Sequence, residues 1–126
     1  MDELMREVES ITNAVSAKVV DAAFQVHKNL GPGLLESAYE TCLVYEIGQR
    51  GLKARRQVPV PLEYESICLD AGFRLDHLVE DRLVVEVKSV EAILPIHRAQ
   101  IITYLRIAKK ELGLLMNFNV KYFRWG

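Results

Sequence analysis

The stretch GFRLDHLVEDRLVVEVKSV, residues 72–90, decides how this chain folds. Its second half, Leu83 to Lys88, is rich in β-branched residues and of strand length, and such strands are usually buried on both faces. Yet it carries Glu86 and Lys88, and Asp76 stands in the strand before it. Successive strand residues point to opposite faces, so Glu86 and Lys88 share one face with Val84 and Val90, while Leu83, Val85 and Val87 take the other. A three-residue loop, Glu80 to Arg82, sets Val79 against Leu83 and carries Asp76 opposite Glu86, where same-face side chains lie about 5 Å apart. A two-residue loop without a bulge sends Asp76 to the other face, and no glycine is present to ease the longer one.

Two carboxylates so close repel, and one has its pKa raised unless a cation sits between them. A hard divalent ion, Mg²⁺ or Mn²⁺, suits a site of one or two carboxylates completed by water and substrate phosphate oxygens. Asp76 and Glu86 are the expected metal ligands, with the carbonyl of Val87 as a third. Lys88 at the rim is placed to orient or deprotonate a metal-activated water and to offset charge on a scissile phosphate. The alternative is an ion pair, Glu86–Lys88 or Arg74–Glu86, on a solvated face with Asp76 at a strand end.

Working outward, Ile11, Val15, Val19, Ala22, Val26 and Leu30 recur every three or four residues and predict an amphipathic helix over 8–30, stopped by Gly31-Pro32-Gly33. A second helix runs from about Leu34 to Arg50 and ends at Gly51. Residues 54–60 and 62–69 read as two strands, with Pro59 and Pro61 marking an edge or a strand end. Gly72 to Val79 and Leu83 to Val90 follow as strands, Pro95 starts a third helix to about Lys110 stopped by Gly113, and 114–118 and 120–123 close the chain as short strands. The expected order is ααββββαββ, an α+β or α/β layer with helices against a mixed sheet.

In the second helix Glu36 begins the series Glu36, Tyr39, Leu43, Ile47, so it lies on an apolar stripe and not on the polar side with Glu40 and Gln49. In the third, Gln100 and Tyr104 stack on one face, with His97 one turn earlier. The 126 residues suffice for one domain, 1–126, and the formal net charge of −1 leaves polyanion binding to local patches. Two such patches are Lys53 to Arg56 and Arg106, Lys109 and Lys110. Cys42 and Cys68 form no metal or redox motif and read as core thiols in a reducing compartment. With neither a leader pattern nor an apolar run of membrane length, the expected location is the cytoplasm, with no membrane partner.

Five motifs in order now carry a resemblance: GLLESAY at 33–39, FRLD at 73–76, EVK at 86–88, QIITY at 100–104 and LLMNFNV at 114–120. Together they resemble the GxxExxY proteins of the PD-(D/E)XK nuclease superfamily, over about His27 to Val120. The resemblance implies a restriction-endonuclease-like αβββαβ core, a mixed sheet flanked by helices, with the first helix as an addition. It implies Glu36 as a helical acid of the site, Asp76 and Glu86 as metal-binding carboxylates and Lys88 as the catalytic lysine. QIITY is similar to the QxxxY signature of RecB-like nucleases, which places Gln100 and Tyr104 beside the substrate backbone. The tail, Lys121 to Gly126, is shorter than the family's usual one, which predicts an open sheet edge.

The function expected is a Mg²⁺- or Mn²⁺-dependent nuclease cutting DNA, or less favourably RNA, with a homodimer or larger partner supplying further binding surface. The competing reading is a non-catalytic nuclease-fold module for binding or assembly. A small-molecule enzyme has no cofactor fingerprint behind it, since neither GxGxxG nor GxxxxGK is present.

Overall fold

The computed structural model describes residues 3–123, with side chains from Ile11 onward. Three helices and four strands follow in the order α1 (Glu3–Leu30), α2 (Glu36–Gln49), β1 (Ala54–Tyr64), β2 (Ile67–Val79), β3 (Leu83–Lys88), α3 (Pro95–Ala108) and β4 (Leu112–Asn117). From α2 onward this is αβββαβ, the expected core, with α1 as the addition. The sheet runs β1-β2-β3-β4, antiparallel in its first two pairings and parallel between β3 and β4. A parallel pair needs a crossover, and α3 provides it.

The helices form where apolar spacing predicts them. Thr12, Val15, Val19, Ala22, Ala23 and Val26 of α1 are buried, whereas Ile11 and Leu30, the two ends of the expected stripe, are exposed. Gly31, at φ +72°, ends α1 and donates its N–H to the His27 carbonyl at 2.8 Å. Tyr39, Leu43 and Ile47 of α2 are fully buried and join Val79, Val85, Val87, Met116 and Phe118 in the main core, between α1, α2 and the sheet. A smaller core of Val60, Leu75, Leu78 and Val84 lies on the α3 side, with Phe73, Tyr104 and Leu105 packed against it. Lys109, in the left-handed region, stops α3. Gly113 therefore is not the stop: it lies within β4, where a Cβ would stand 2.9 Å from Ile101 Cδ1, so its bareness lets α3 sit close on the sheet.

The strands differ from expectation in three places. Residues 54–64 form one strand through Pro59 and Pro61, because β1 is the sheet edge and those residues need no second ladder partner. Residues 67–79 likewise form one strand through Gly72, which at the register shift between Val60 and Leu62 approaches Leu62 so closely that a Cβ would stand 2.5 Å from the leucine Cβ. The turn between them is Glu65-Ser66, with Glu65 at φ +53°, so the two predicted strands of 54–69 are one hairpin. Finally, 118–123 is not strand; Phe123 instead packs on Phe24, His27 and Phe118. Residues 124–126 of the tail lie outside the described residues. Cys68, expected in the core, is exposed on the hairpin, and Cys42 is half-buried.

The β2–β3 connection is the three-residue loop. Val79 pairs with Leu83, Leu78 with Val84 and His77 with Val85. Without glycine, Glu80 and Asp81 take φ +53° and +56°, and the turn closes through Arg82 N–H to the Val79 carbonyl at 3.0 Å. Asp81 is tied to Arg55 and Lys110, and Glu80 N–H donates to the Lys53 carbonyl. Three members of the expected basic patches, Arg55 and Lys110 by side chain and Lys53 by its backbone, are thus engaged in bracing this turn.

Candidate active site

The β2–β3 ladder stops at His77–Val85, and the next two positions are Asp76 and Glu86. Side chains there take over from the ladder. Asp76 Oδ2 accepts the Val87 N–H at 2.8 Å, and Glu86 Oε1 accepts the Asp76 N–H at 3.4 Å. The strands fork at this point, and the two carboxylates sit in the crotch, as the three-residue register predicts.

Glu86 is only 4 % exposed and makes no ion pair among the described residues. Neither Glu86–Lys88 nor Arg74–Glu86 forms, which removes the ion-pair alternative. Burial first, then a shared proton with Asp76 and the charge of Asp76, push the Glu86 carboxyl up from 4.5 to about 9, with Lys88 pulling weakly the other way. Without added positive charge, the pair therefore holds a proton at neutral pH.

Lys88, half-buried at the end of β3, has its backbone anchored by Phe118 N–H to its carbonyl at 2.9 Å, and its ammonium makes no hydrogen bond or ion pair among the described residues. Glu36, at the first turn of α2, reaches the same strand end: its Oε1 accepts the Ser89 N–H at 3.3 Å, and Ser89 Oγ donates to the Leu34 carbonyl at 2.6 Å. The tyrosine of GLLESAY explains its own motif. Tyr39 stacks on Phe118, donates its hydroxyl to the Gly31 carbonyl at 2.6 Å and accepts the Leu34 N–H at 3.1 Å, fixing the loop that delivers Glu36.

Tyr104 lies flat on Phe73 with ring centroids 4.2 Å apart. Its hydroxyl is pushed up, first by burial and then by the charges of Glu86 and Asp76, so the ring belongs to the carboxylate neighbourhood. Gln100, one turn earlier, is exposed and makes no hydrogen bond among the described residues. His97 instead caps α3, its Nδ1 accepting the Leu94 N–H at 3.0 Å. Asp76, Glu86, Val87, Lys88, Glu36 and Tyr104 therefore come together, while Gln100 stays at the rim.

Three further residues were not foreseen. Glu40, expected on the polar side of α2, is 7 % exposed and pairs with Arg56 at 3.3 Å. Burial, then the charge of Asp76, raise its carboxyl; Arg56 opposes this, and Glu36 adds to it. Beside it His77 is fully buried, its Nε2 against the Glu40 carbonyl at 3.3 Å and its Nδ1 without a hydrogen-bond partner among the described residues, and burial pushes its imidazole down. Asn117 is the first of two asparagines in LLMNFNV: its side chain accepts from Val90 N–H and Asn119 N–H and donates to the Val90 carbonyl at 2.9 Å, pinning the segment after Lys88. A polar residue inside an apolar run is the one signal that marks it in the sequence.

Among the described residues no group of three or more His, Cys, Asp or Glu side chains is arranged to hold a metal ion. The donor set at the fork is two carboxylates, one of them buried and short of positive charge, beside a strand carbonyl. That fits a small hard cation, which typically keeps several waters and takes one or two carboxylates, and does not fit a full protein cage. No helix of the described residues is long and apolar enough to cross a membrane.

No curated protein and no solved structure matches the chain. A family model described as the PD-(D/E)XK nuclease superfamily matches residues 13–125, a span that takes in α2, the forked strand pair and α3. With an αβββαβ order after α1 and that match over most of its length, the chain belongs to the PD-(D/E)XK nuclease superfamily.

Proposed function

We propose that this protein is a divalent-metal-dependent nuclease, of the GxxExxY kind, that hydrolyses phosphodiester bonds in DNA in preference to RNA. The observation that supports this best is the convergence of Asp76 and buried Glu86 at the strand fork, with Lys88 two residues on. Asp76, Glu86 and the Val87 carbonyl would hold Mg²⁺ or Mn²⁺, which supplies charge neutralisation at the scissile phosphate and a more acidic water. Lys88 orients the attacking water and offsets developing charge on the phosphate. Glu36 holds the end of β3, and so Lys88, in place through Ser89 N–H. Tyr104, stacked on Phe73, walls the carboxylates from solvent on the α3 side, and Gln100 at the rim is available to the substrate backbone. In this reading a second copy extends the binding surface, and the protein works in the cytoplasm.

The test begins without a substrate. Calorimetric titration with Mn²⁺ gives saturable binding by the wild type, and an Asp76→Ala/Glu86→Ala double variant that remains folded loses it. Lys88→Ala then binds Mn²⁺ but cleaves DNA at least a hundredfold more slowly, the scale on which general acid–base groups act, about 10²–10⁴. A folded wild type that binds no Mn²⁺, with or without DNA present, sinks the proposal and favours a non-catalytic assembly module.

A further inference from the structure

Four carboxylates, Glu36, Glu40, Asp76 and Glu86, gather around the fork, and among the described residues the cations that act on Glu40 and Glu86 are Arg56 and Lys88. A phosphodiester is itself an anion, so it approaches such a site only where a cation offers it open donors. Lys88 already serves the reacting centre in the reading above. Arg56 is the group left unaccounted for.

Its position is fixed by two neighbours. Arg56 pairs in register with His77, the residue next to Asp76. Its Nη2 meets Glu40 Oε2 at 3.3 Å, and Glu40 lies within electrostatic reach of both Asp76 and Glu36. That contact is the only hydrogen bond of its guanidinium among the described residues, so most of the five N–H donors are uncommitted. The Arg56 side chain is 37 % exposed while the Glu40 side chain is 10 % exposed, so the arginine faces outward from a buried anchor. Arginine–carboxylate pairs are frequently short and two-pronged. The Arg56 contact is single and no shorter than the turn-bracing Arg55–Asp81 pair, but it is made to a buried carboxylate beside Asp76, and its uncommitted donors stay open to an oxyanion.

We infer that Arg56, anchored on Glu40 beside Asp76, is a phosphate-binding residue that takes a backbone phosphate of the nucleic acid next to the scissile bond. This rests on the nuclease reading of the same site. Glu40 keeps the guanidinium from collapsing onto the Asp76–Glu86 pair, where it would displace the metal.

The experiment measures binding of a fluorescein-labelled DNA duplex by anisotropy, with Ca²⁺ in place of Mn²⁺ to hold back cleavage, across a series of salt concentrations. The slope of log affinity against log salt counts phosphate contacts, at about 0.9 per contact on duplex DNA. Arg56→Gln lowers that slope by about 0.9 and weakens binding about tenfold, while saturable Mn²⁺ binding persists. Arg56→Lys keeps the slope and binds a few-fold more weakly, and it carries the test if the glutamine variant fails to fold. A purely structural Arg56 would lower the denaturation midpoint and leave the slope unchanged. An unchanged slope in Arg56→Gln, with Mn²⁺ binding and cleavage intact, overturns the assignment and spares the nuclease reading. A wild type that binds neither Mn²⁺ nor DNA overturns both.

Discussion

Replacing Glu86 with glutamine should make the metal-free protein more stable at neutral and alkaline pH, against the usual effect of altering a buried residue. In the folded chain the Glu86 carboxyl is raised from 4.5 to about 9, first by burial and then by Asp76. Between those values the unfolded chain releases a proton that the folded chain keeps, so stability is full below pH 4.5, falls as pH rises, and stops falling near pH 9. Each unit is worth about 1.4 kcal/mol, so at pH 7.5 the loss approaches 4 kcal/mol, and water entering the fork reduces it toward about 2 kcal/mol. That is a large part of the 5–15 kcal/mol typical of a domain. Urea denaturation in EDTA at pH 5, 6, 7 and 8 measures it: wild type and Glu86→Gln start nearly equal at pH 5 and diverge, the variant being the more stable by about 2–4 kcal/mol at pH 7.5. Glu40 is raised in the same sense and is common to both chains, so the difference between them isolates Glu86. A gap that stays constant from pH 5 to 8 refutes the reasoning. On the proposed metal reading, saturating Mn²⁺ at pH 8 should reverse the order, because the wild type keeps the carboxylate that the variant loses.

Tyr39→Phe removes the hydroxyl that bridges the Gly31 carbonyl and the Leu34 N–H, and should lower stability by about 1–2 kcal/mol in urea, with faster amide exchange confined to residues 31–36. Asn117→Ala leaves the Val90 and Asn119 groups without their partner, and should cost about 2–3 kcal/mol while the 89–94 segment exchanges faster; exchange unchanged there would show that something else holds the segment.

What the sequence conveyed follows from which forces act locally. Helix periodicity and the length of Leu83–Lys88 depend on one face or one strand, and α2, α3 and β3 were readable from them. The Asp76–Glu86 register followed from loop length alone, and the loop is achieved by Glu80 and Asp81 in the left-handed region, with Asp81 braced by Arg55 and Lys110. Pro59, Pro61 and Gly72 read as breaks because their cost depends on where a strand lies in the sheet, which the local sequence does not state. Glu40 was misplaced for a related reason. Helix α2 packs on α1 along one flank and on the sheet along another, so the adjacent residues Tyr39 and Glu40 are both buried, and a single stripe does not describe it. Arg56 was legible as a member of the basic patch Lys53 to Arg56, but its pairing with Glu40 was not, since the pair spans α2 and β1.

The fork has one more consequence, for how errors in folding are detected. Asp76 and Glu86 accept backbone N–H groups immediately past the last ladder pair, so the candidate site begins where strand alignment ends. A one-residue slip of β2 against β3 would turn Asp76 to the opposite face, and would also drive Val79 out of the core. A molecule misaligned in this way therefore loses its core packing and its paired carboxylates together, and a compact chain zipped one residue out of step is not left holding the fork.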